Sequence, residues 1–306
     1  MAQVRGTFPE LYDNVDKILS AIMKEQLSEL PKIYSNYFNI ETSDRKFERH
    51  VTYVPMGDTQ SKGEGDPYVM DSIRSGYTKD FVHTENGLGF EVSQTALEDD
   101  PENILKRAGQ WLTFSARYLE EGRAANVFNN GFTTEQTPDG VSLFNATHAL
   151  KGGGAGRNTL ASAADLSATS LQQAMTDIQT QTFDEAGHLA MPVINWYLVV
   201  PPALETIAYR LVASVQLPGS ADNDINPMKA LRTWRIIINP RLTDADAWML
   251  VAQKKSAHGL TFYRRVPIEL DPIEKDIRTN NRIIKVRHRF SVGAWTWVGV
   301  FGSPGL

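Results

Sequence analysis

The chain predicts an α+β fold, and three observations carry that reading. A long amphipathic helical pattern starts at Asp100-Pro101-Glu102 and fades near Asn129-Asn130-Gly131. Alternating strand patterns lie on either side of it, at Phe47–Tyr53 and at Ile284–Ala294. Between Ser167 and Arg264 the order of patterns is α-β-α-β-β-β, which suits a second lobe of roughly 100 residues.

In chain order, residues 1–12 carry Gly6 and Pro9 and read as an extended arm. Val15, Ile18, Leu19, Ile22, Met23 and Leu27 then repeat at helical spacing until Pro31. That apolar face needs a partner, an internal core or a neighbouring subunit. Phe47, Arg49, Val51 and Tyr53 alternate with Glu48, His50 and Thr52, and a second β-rich run covers Ile73 to Val82. The polar, glycine-rich stretch Gly57–Pro67 between them makes a long hairpin with a mobile tip. A two-stranded hairpin is marginal alone in water, so it should lie on something else.

Asp100 offers an N-cap oxygen, Pro101 suits the first helical position and Glu102 the first turn. From there Ile104, Leu105, Ala108, Trp111, Leu112, Ser115, Tyr118 and Leu119 mark one face. At ~1.5 Å per residue the helix would be about 40 Å long, a spine longer than a small domain. Pro138–Thr159 follows, with an apolar anchor at Leu143-Phe144, then His148 and glycines from Gly152 to Gly156. It is a catalytic loop or a crossover between lobes, and the rest of the chain favours the crossover. Ser167 caps a helix with Leu171, Ala174, Met175 and Ile178 on its apolar face. Trp196–Val200 is continuously apolar, as for a strand buried on both sides. Pro201-Pro202 open a helix carrying Leu204, Ile207, Ala208, Leu211 and Val212. A polar loop (217–228) precedes strands at Trp234–Ile238, Trp248–Ala252 and Leu260–Arg264. In the last long run Ile284, Val286, His288, Phe290, Val292 and Ala294 face one way, and Lys285, Arg287, Arg289 and Ser291 the other.

Composition narrows function. The 306 residues are 42% hydrophobic and 22% charged, an ordered profile, and the net charge of −5 gives no overall field for nucleic acid. With no Cys there are no disulfides, Cys-ligated zinc or thiol nucleophile, which suits a reducing cytoplasm. The N-terminus lacks the apolar core of a signal peptide, and no apolar run reaches the ~18 residues of a membrane helix. No membrane contact is expected.

The search for chemistry returns no site. Gly156 is followed by Arg157-Asn158, which lacks the Lys and hydroxyl of a phosphate-binding loop. No convincing strand precedes the glycines, so a dinucleotide fingerprint also fails. The histidines His50, His83, His148, His188, His258 and His288 form no His-Glu-x-x-His, and no two are four apart. The acids Glu98, Asp99, Asp100 and Glu102 fit capping and dipole compensation better than paired catalysis. Catalytic, cofactor-binding and metal-ligating residues are therefore all read as none. Arg278, Arg282, Lys285, Arg287 and Arg289 could contact DNA, but Glu269, Asp271, Glu274 and Asp276 precede them, so a salt-bridge face is the preferred reading.

Taken together, these parts resemble the major capsid proteins of tailed bacteriophages, the Hong Kong 97 fold, and most of all the Mu-like major head subunit group. The resemblance rests on Gly140, Leu143-Phe144, His148 and Asn158; Asp184-Glu185, Gly187, Leu189 and Pro192; Val199-Val200-Pro201-Pro202-Ala203-Leu204-Glu205; Asn239-Pro240-Arg241-Leu242 with Ala247-Trp248; and the Arg287–Trp297 strand. These markers span about residues 40–306. The resemblance implies an N-terminal arm with an amphipathic helix (1–44), an extended β-hairpin loop (45–85) and a peripheral domain with spine helix and crossover (86–160). An axial domain (161–265) and a return strand of the peripheral domain (266–306) complete it.

It further implies a non-enzymatic subunit that assembles with itself into hexamers and pentamers of an icosahedral shell around double-stranded DNA. The expected location is the virion capsid, and the host cytoplasm during assembly. Expected partners are a scaffolding protein, separate because the arm starts almost at residue 1 unless the chain is already processed, a portal protein and, as a further option, a decoration protein. Contacts with packaged DNA would be non-specific. Candidate intersubunit residues are Lys62, Gly63 and Glu64 at the hairpin tip and Ile18 and Ile22 on the arm. Crosslinking would need a Lys–Asn pair and a Glu, and only Lys62 can be matched. An encapsulin-like compartment is the alternative within the fold. From other classes come a metal-dependent hydrolase using His148 with Asp139 or Asp165, and a DNA-binding protein using the basic strand.

Overall fold

Two sheets and one long helix organise the chain. The computed structural model describes residues 21–306 apart from 22–24, 26, 28, 94, 96–103, 190–194, 217–224, 272–273, 277 and 280. The arm, the helix start at Asp100-Pro101-Glu102 with its acidic cluster, and Pro192 lie outside the described residues. Of the expected N-terminal apolar face only Leu27 falls within them, packed against a cluster of Leu112, Ala116, Ile268, Ile284 and Val286.

The strands are β1 (Asn39–Thr42), β2 (Phe47–Val54), β3 (Arg74–Val82), β4 (Thr84–Val92), β5 (His148–Ala149), β6 (Ala155–Gly156) and β7 (Asn195–Val200). They continue with β8 (Thr233–Ile238), β9 (Trp248–Ala252), β10 (Leu260–Leu270), β11 (Glu274–Lys275), β12 (Arg282–Ala294) and β13 (Val300–Ser303). The helices are α1 (Ile104–Asn129), α2 (Ala168–Gln181), α3 (Glu205–Val212) and the short α4 (Pro227–Leu231).

In the first sheet β12 is central. It pairs antiparallel with β10 and, further along the same side, β11, and with β4 on the other side, while β1 runs parallel to β10. Its apolar alternation is obeyed, with Ile284, Val286 and Phe290 buried. The second sheet has the order β13-β9-β7-β8. Successive side chains of a strand point to opposite faces, so β7 and β9 serve two cores. Val199, Met249 and Val251 join Phe128, Phe144, Phe262 and Phe290. Trp196, Leu198, Val200, Trp248 and Leu250 join α2 and α3 through Leu171, Met175 and Ala208. At about 1.5–3 kcal/mol per buried large apolar side chain, this double use explains why both strands are continuously apolar. Ser167 caps α2 in a reciprocal box with Ser170.

Four readings need correction. The strand at Leu260–Arg264 runs on to Leu270 and pairs with β12, whereas the second sheet takes its last strand, β13, from the C-terminus. Strand β4 was not anticipated: Asn86-Gly87 and Gly89 suggest turns, yet nine residues pair in register with β12. On α1, Trp111 and Tyr118 are exposed, at 62% and 56%, while Leu112, Ala116, Ala124 and Phe128 are buried. The core face lies one residue round the helix from Trp111. Finally, only Gly153 and Gly154 of the glycine run have positive φ, +105° and +87°. Gly152 and Gly156 are required by space instead: a Cβ at either would come within 2.5 Å of Glu185 O or the Trp297 ring.

Candidate functional site

The hairpin β2–β3 forms a sheet of its own, joined to β4 only through His83. Its apolar-looking stripe faces outward: Phe47, Tyr53 and Val82 are exposed. The half-buried side carries His50, whose ring stacks on Trp295 at 5.2 Å and 7° and bonds the Tyr263 hydroxyl. Burial pulls the His50 pKa down and so favours the neutral ring. Beyond the strands, Lys62, Gly63 and Glu64 are all exposed at the tip. Lys62 Nζ sits 4.9 Å from the Tyr68 ring, and Gly63 N–H donates to Asp66 Oδ2 at 3.1 Å. Tyr68, Val69 and Met70 follow at 80%, 68% and 87% exposure. Ile18 and Ile22 lie outside the described residues.

Beneath the root of this hairpin is a groove of about 810 Å³. One wall is Tyr53, Met56 and Ile73; the other is Trp295, Trp297 and the segment Ser256–His258. Burial and the nearby Lys255 charge push the His258 pKa down to about 4, so this imidazole is neutral at neutral pH, while Asp184 and Glu185 also line the groove.

The basic residues are not gathered into an acid-free patch. Arg287 reaches Glu269 at 2.7 Å and Asp271 at 3.0 Å, and Lys285 reaches Glu274 at 3.1 Å. Arg278 is exposed in a turn, while Arg282 is buried.

The structure does bring His148 and Asp139 together. Nδ1 lies 2.7 Å from Asp139 Oδ2, and Nε2 lies 3.1 Å from Asn158 Oδ1. Asn158 is oriented by its amide donating to the Leu143 carbonyl at 2.8 Å, so its oxygen faces the imidazole. Both ring nitrogens therefore have partners. Burial works against the Asp139 carboxylate, but hydrogen bonds from His148 and Thr137 outweigh it and hold the carboxyl below its ordinary range. Trp297 stacks on His148 at 4.6 Å, and the imidazole is fully buried. Asp165 lies elsewhere, accepting Leu306 N–H at 2.8 Å. This is a sealed strut, with no face open to a substrate. Among the described residues no group of three or more His, Cys, Asp or Glu could hold a metal.

A second buried polar cluster was missed from the sequence. Glu120 Oε2 accepts from Arg117 at 2.6 Å and from the Tyr34 hydroxyl at 3.0 Å, with Arg264 at 3.6 Å and His288 3.6 Å from Oε1. Burial raises its pKa, yet these donors win and hold Glu120 below the ordinary range. Neighbouring Glu121, accepting Tyr34 N–H at 3.3 Å, is held above it, chiefly by burial. The signal was present: Ala108, Leu112, Ala116 and Glu120 fall at i, i+4 spacing, placing the acid on the core face.

Compared with known proteins, residues 77–302 match a family model described as phage capsid protein. No curated protein matches the chain. Among solved structures it resembles the capsid of cyanophage P-SCSP1u at 8% identity and a TM-score of 0.61, over 90% of this chain and 88% of that one. The procapsid of bacteriophage JBD30 aligns at 13% identity and 0.52, over 96% of this chain and 75% of that one. A virus-like particle from Pyrococcus furiosus aligns at 10% and 0.50, over 94% and 98%. At these identities the likeness is one of fold.

Proposed function

This chain belongs to the phage capsid protein family, and from that premise we propose that it is a major head subunit assembling with itself into hexamers and pentamers of an icosahedral shell around double-stranded DNA. Phage capsid proteins are structural components of the virion. The finer reading is of the Hong Kong 97 type and the Mu-like group. In it residues 45–85 are the extended loop, α1 and the first sheet form the peripheral part, and the second sheet with α2 and α3 forms the axial part. The observation that carries it is the outward apolar surface of the hairpin, with Phe47, Tyr53, Tyr68, Val69, Met70 and Val82 exposed on one projecting element. Monomeric proteins rarely present such a contiguous surface unless it is an interface.

The chain acts without catalysis in this reading, since His148 and Asp139 are consumed by each other and by packing. The basic strand is a salt-bridge face, leaving non-specific contact with packaged DNA to be made elsewhere. A scaffolding protein, a portal protein and a decoration protein are its proposed partners, and assembly takes place in the host cytoplasm. No helix among the described residues is long and apolar enough to cross a membrane. An encapsulin-like compartment is the second reading, favoured by the alignment over 98% of the virus-like particle chain.

Negative-stain imaging and sedimentation of the purified protein, with and without the products of neighbouring genes, test this. Rings of five and six, tubes or closed shells are expected. A strictly monomeric protein across concentration, pH and salt overturns it. Particles from host cells holding protein cargo instead of DNA would favour the compartment.

A further inference from the structure

Both feet of the β2–β3 hairpin meet at one buried imidazole. His83 is the single residue between β3 of the hairpin and β4 of the first sheet, and it is 4% exposed. Its Nε2 lies 2.9 Å from the Ser43 hydroxyl on the entering foot, and its Nδ1 lies 2.9 Å from the Ser291 hydroxyl on β12. Ser43 gives its one hydroxyl proton to Glu48 at 2.7 Å, so towards His83 it accepts. The ring then carries its proton on Nε2 and takes the Ser291 hydroxyl proton on Nδ1, an arrangement that a neutral imidazole completes. A second proton, on Nδ1, would face the Ser291 proton and force that hydroxyl to turn. Further along β2, His50 seats the hairpin on the body. Its ring lies flat on Trp295, stands edge-on to Phe81 at 5.7 Å and 83°, and bonds the Tyr263 hydroxyl. Around His83 stand Glu48 from β2, Arg265 from β10 and Arg289 from β12. Around His50 stand Glu41 from β1 and Glu48, with Lys79 opposite on β3 and held by Glu135 at 3.5 Å. Burial is the largest influence on both rings and keeps them below the ordinary histidine range, although the acids favour a proton.

We propose that His83 and His50 make the root of the hairpin a proton-operated hinge. Neutral, the two rings hold the hairpin down on Trp295; protonated, they let it swing about residue 83 and the 43–46 link. Swung out, either ring regains water and the ordinary value of about 6.5. A histidine whose seated value lies below its free value favours the seated hairpin above about pH 6.5 and gives up that preference as pH falls towards the seated value. Acid therefore opens the hinge. One contact runs the other way. His188, with Asp184 at 3.2 Å and Asp58 of the hairpin loop at 3.4 Å, gains from a proton, but the Asp58 side chain is 95% exposed and such a pair contributes little. The hinge is a property of the single subunit and does not depend on its assembly.

The test uses the full chain, which contains no Cys, so K62C at the tip and K254C on the body carry two spin labels without interference. Double electron–electron resonance, with unlabelled chain in excess and below the concentration of any assembly, should give one distance at neutral pH. A second, longer distance should grow in as pH falls, with a midpoint below about 6.5. H50F keeps a flat ring on Trp295 and H83Q keeps an amide donor towards Ser43, and neither can be protonated. The double variant should lose the acid population, and H188Q should keep it. Unchanged distances in wild type overturn the inference. So does an acid transition that survives in H50F/H83Q, or one that coincides with loss of the helical circular dichroism signal, which is unfolding. If H83Q fails to fold, H50F alone decides: its midpoint should move to lower pH, and a midpoint unmoved from wild type overturns the inference.

Discussion

Strands β2 and β12 carry the same alternation of apolar and polar residues and meet opposite fates. In β12 the apolar set, Ile284, Val286 and Phe290, is buried against β10, β4 and α1. In β2 Phe47 and Tyr53 stand in solvent while His50 packs on Trp295. The difference lies in what is available to cover each face. A strand at the centre of a five-stranded sheet finds its partner within the chain. The strand in the two-stranded hairpin leaves Phe47 and Tyr53 in solvent, the surface proposed above to meet another copy. Hydrophobicity thus marks surfaces to be covered, and only topology says by which chain.

Four experiments would break or sharpen that contrast. The largest effect belongs to the covered strand. Phe290 is buried and stacks on Phe262 at 5.1 Å, so Phe290→Ala should cost about 3–5 kcal/mol in chemical denaturation. A cost below ~1 kcal/mol would show that β12 is not core.

Next is His148→Gln, which deprives the buried Asp139 carboxylate of its imidazole hydrogen bond and should cost roughly 1–3 kcal/mol. The sign with pH follows from Asp139. Its carboxyl is held below the ordinary range, so its stabilisation is complete above about pH 4 and drains as pH falls through the folded value. The gap between wild type and variant should narrow below pH 4 in melting curves. A gap that does not change with pH would mean the carboxylate contributes nothing.

On α1, Trp111→Ala should change subunit stability by less than ~0.5 kcal/mol, because Trp111 is 62% exposed. Had it faced the core, as its spacing suggested, about 3–5 kcal/mol would be lost. Smallest for the subunit is deletion of 60–65 at the tip, expected to leave melting unchanged while impairing assembly. Unchanged assembly with a destabilised monomer would make the hairpin an internal element.

Strong periodicity made much of this fold legible. The α1 span, the doubly apolar β7 and the α2 cap follow from local rules that tertiary packing did not override. Strand β4 was hidden because Asn86-Gly87 and Gly89 imitate turns, and only pairing with β12, distant in sequence, makes them extended. On α1 the aromatic residues pulled the inferred face round by one position. Trp111, Phe114 and Tyr118 form an outward stripe, whereas the small Ala108, Ala116 and Ala124 let the helix approach the sheet. Of the candidate site, the exposed tip at Lys62–Glu64 was readable from composition. The groove was not, because its walls, such as Tyr53 and Trp295, come from segments far apart in the sequence.

The parallel pairing of β1 with β10 has a consequence for how the subunit is made. Asn39 lies opposite Thr261, and among the described residues β1 pairs with no other strand. A ribosome adding ~5–20 residues per second needs on the order of 10–45 s to travel from one to the other. Throughout that interval Tyr34, fully buried in the finished subunit, has no Phe262 to stack on, while Tyr37 and Phe38 can meet Phe128 much earlier. Tyr34 thus leaves the ribosome long before the strand that covers it, so chaperone occupancy of residues 33–42 should persist until β10 has left the exit tunnel.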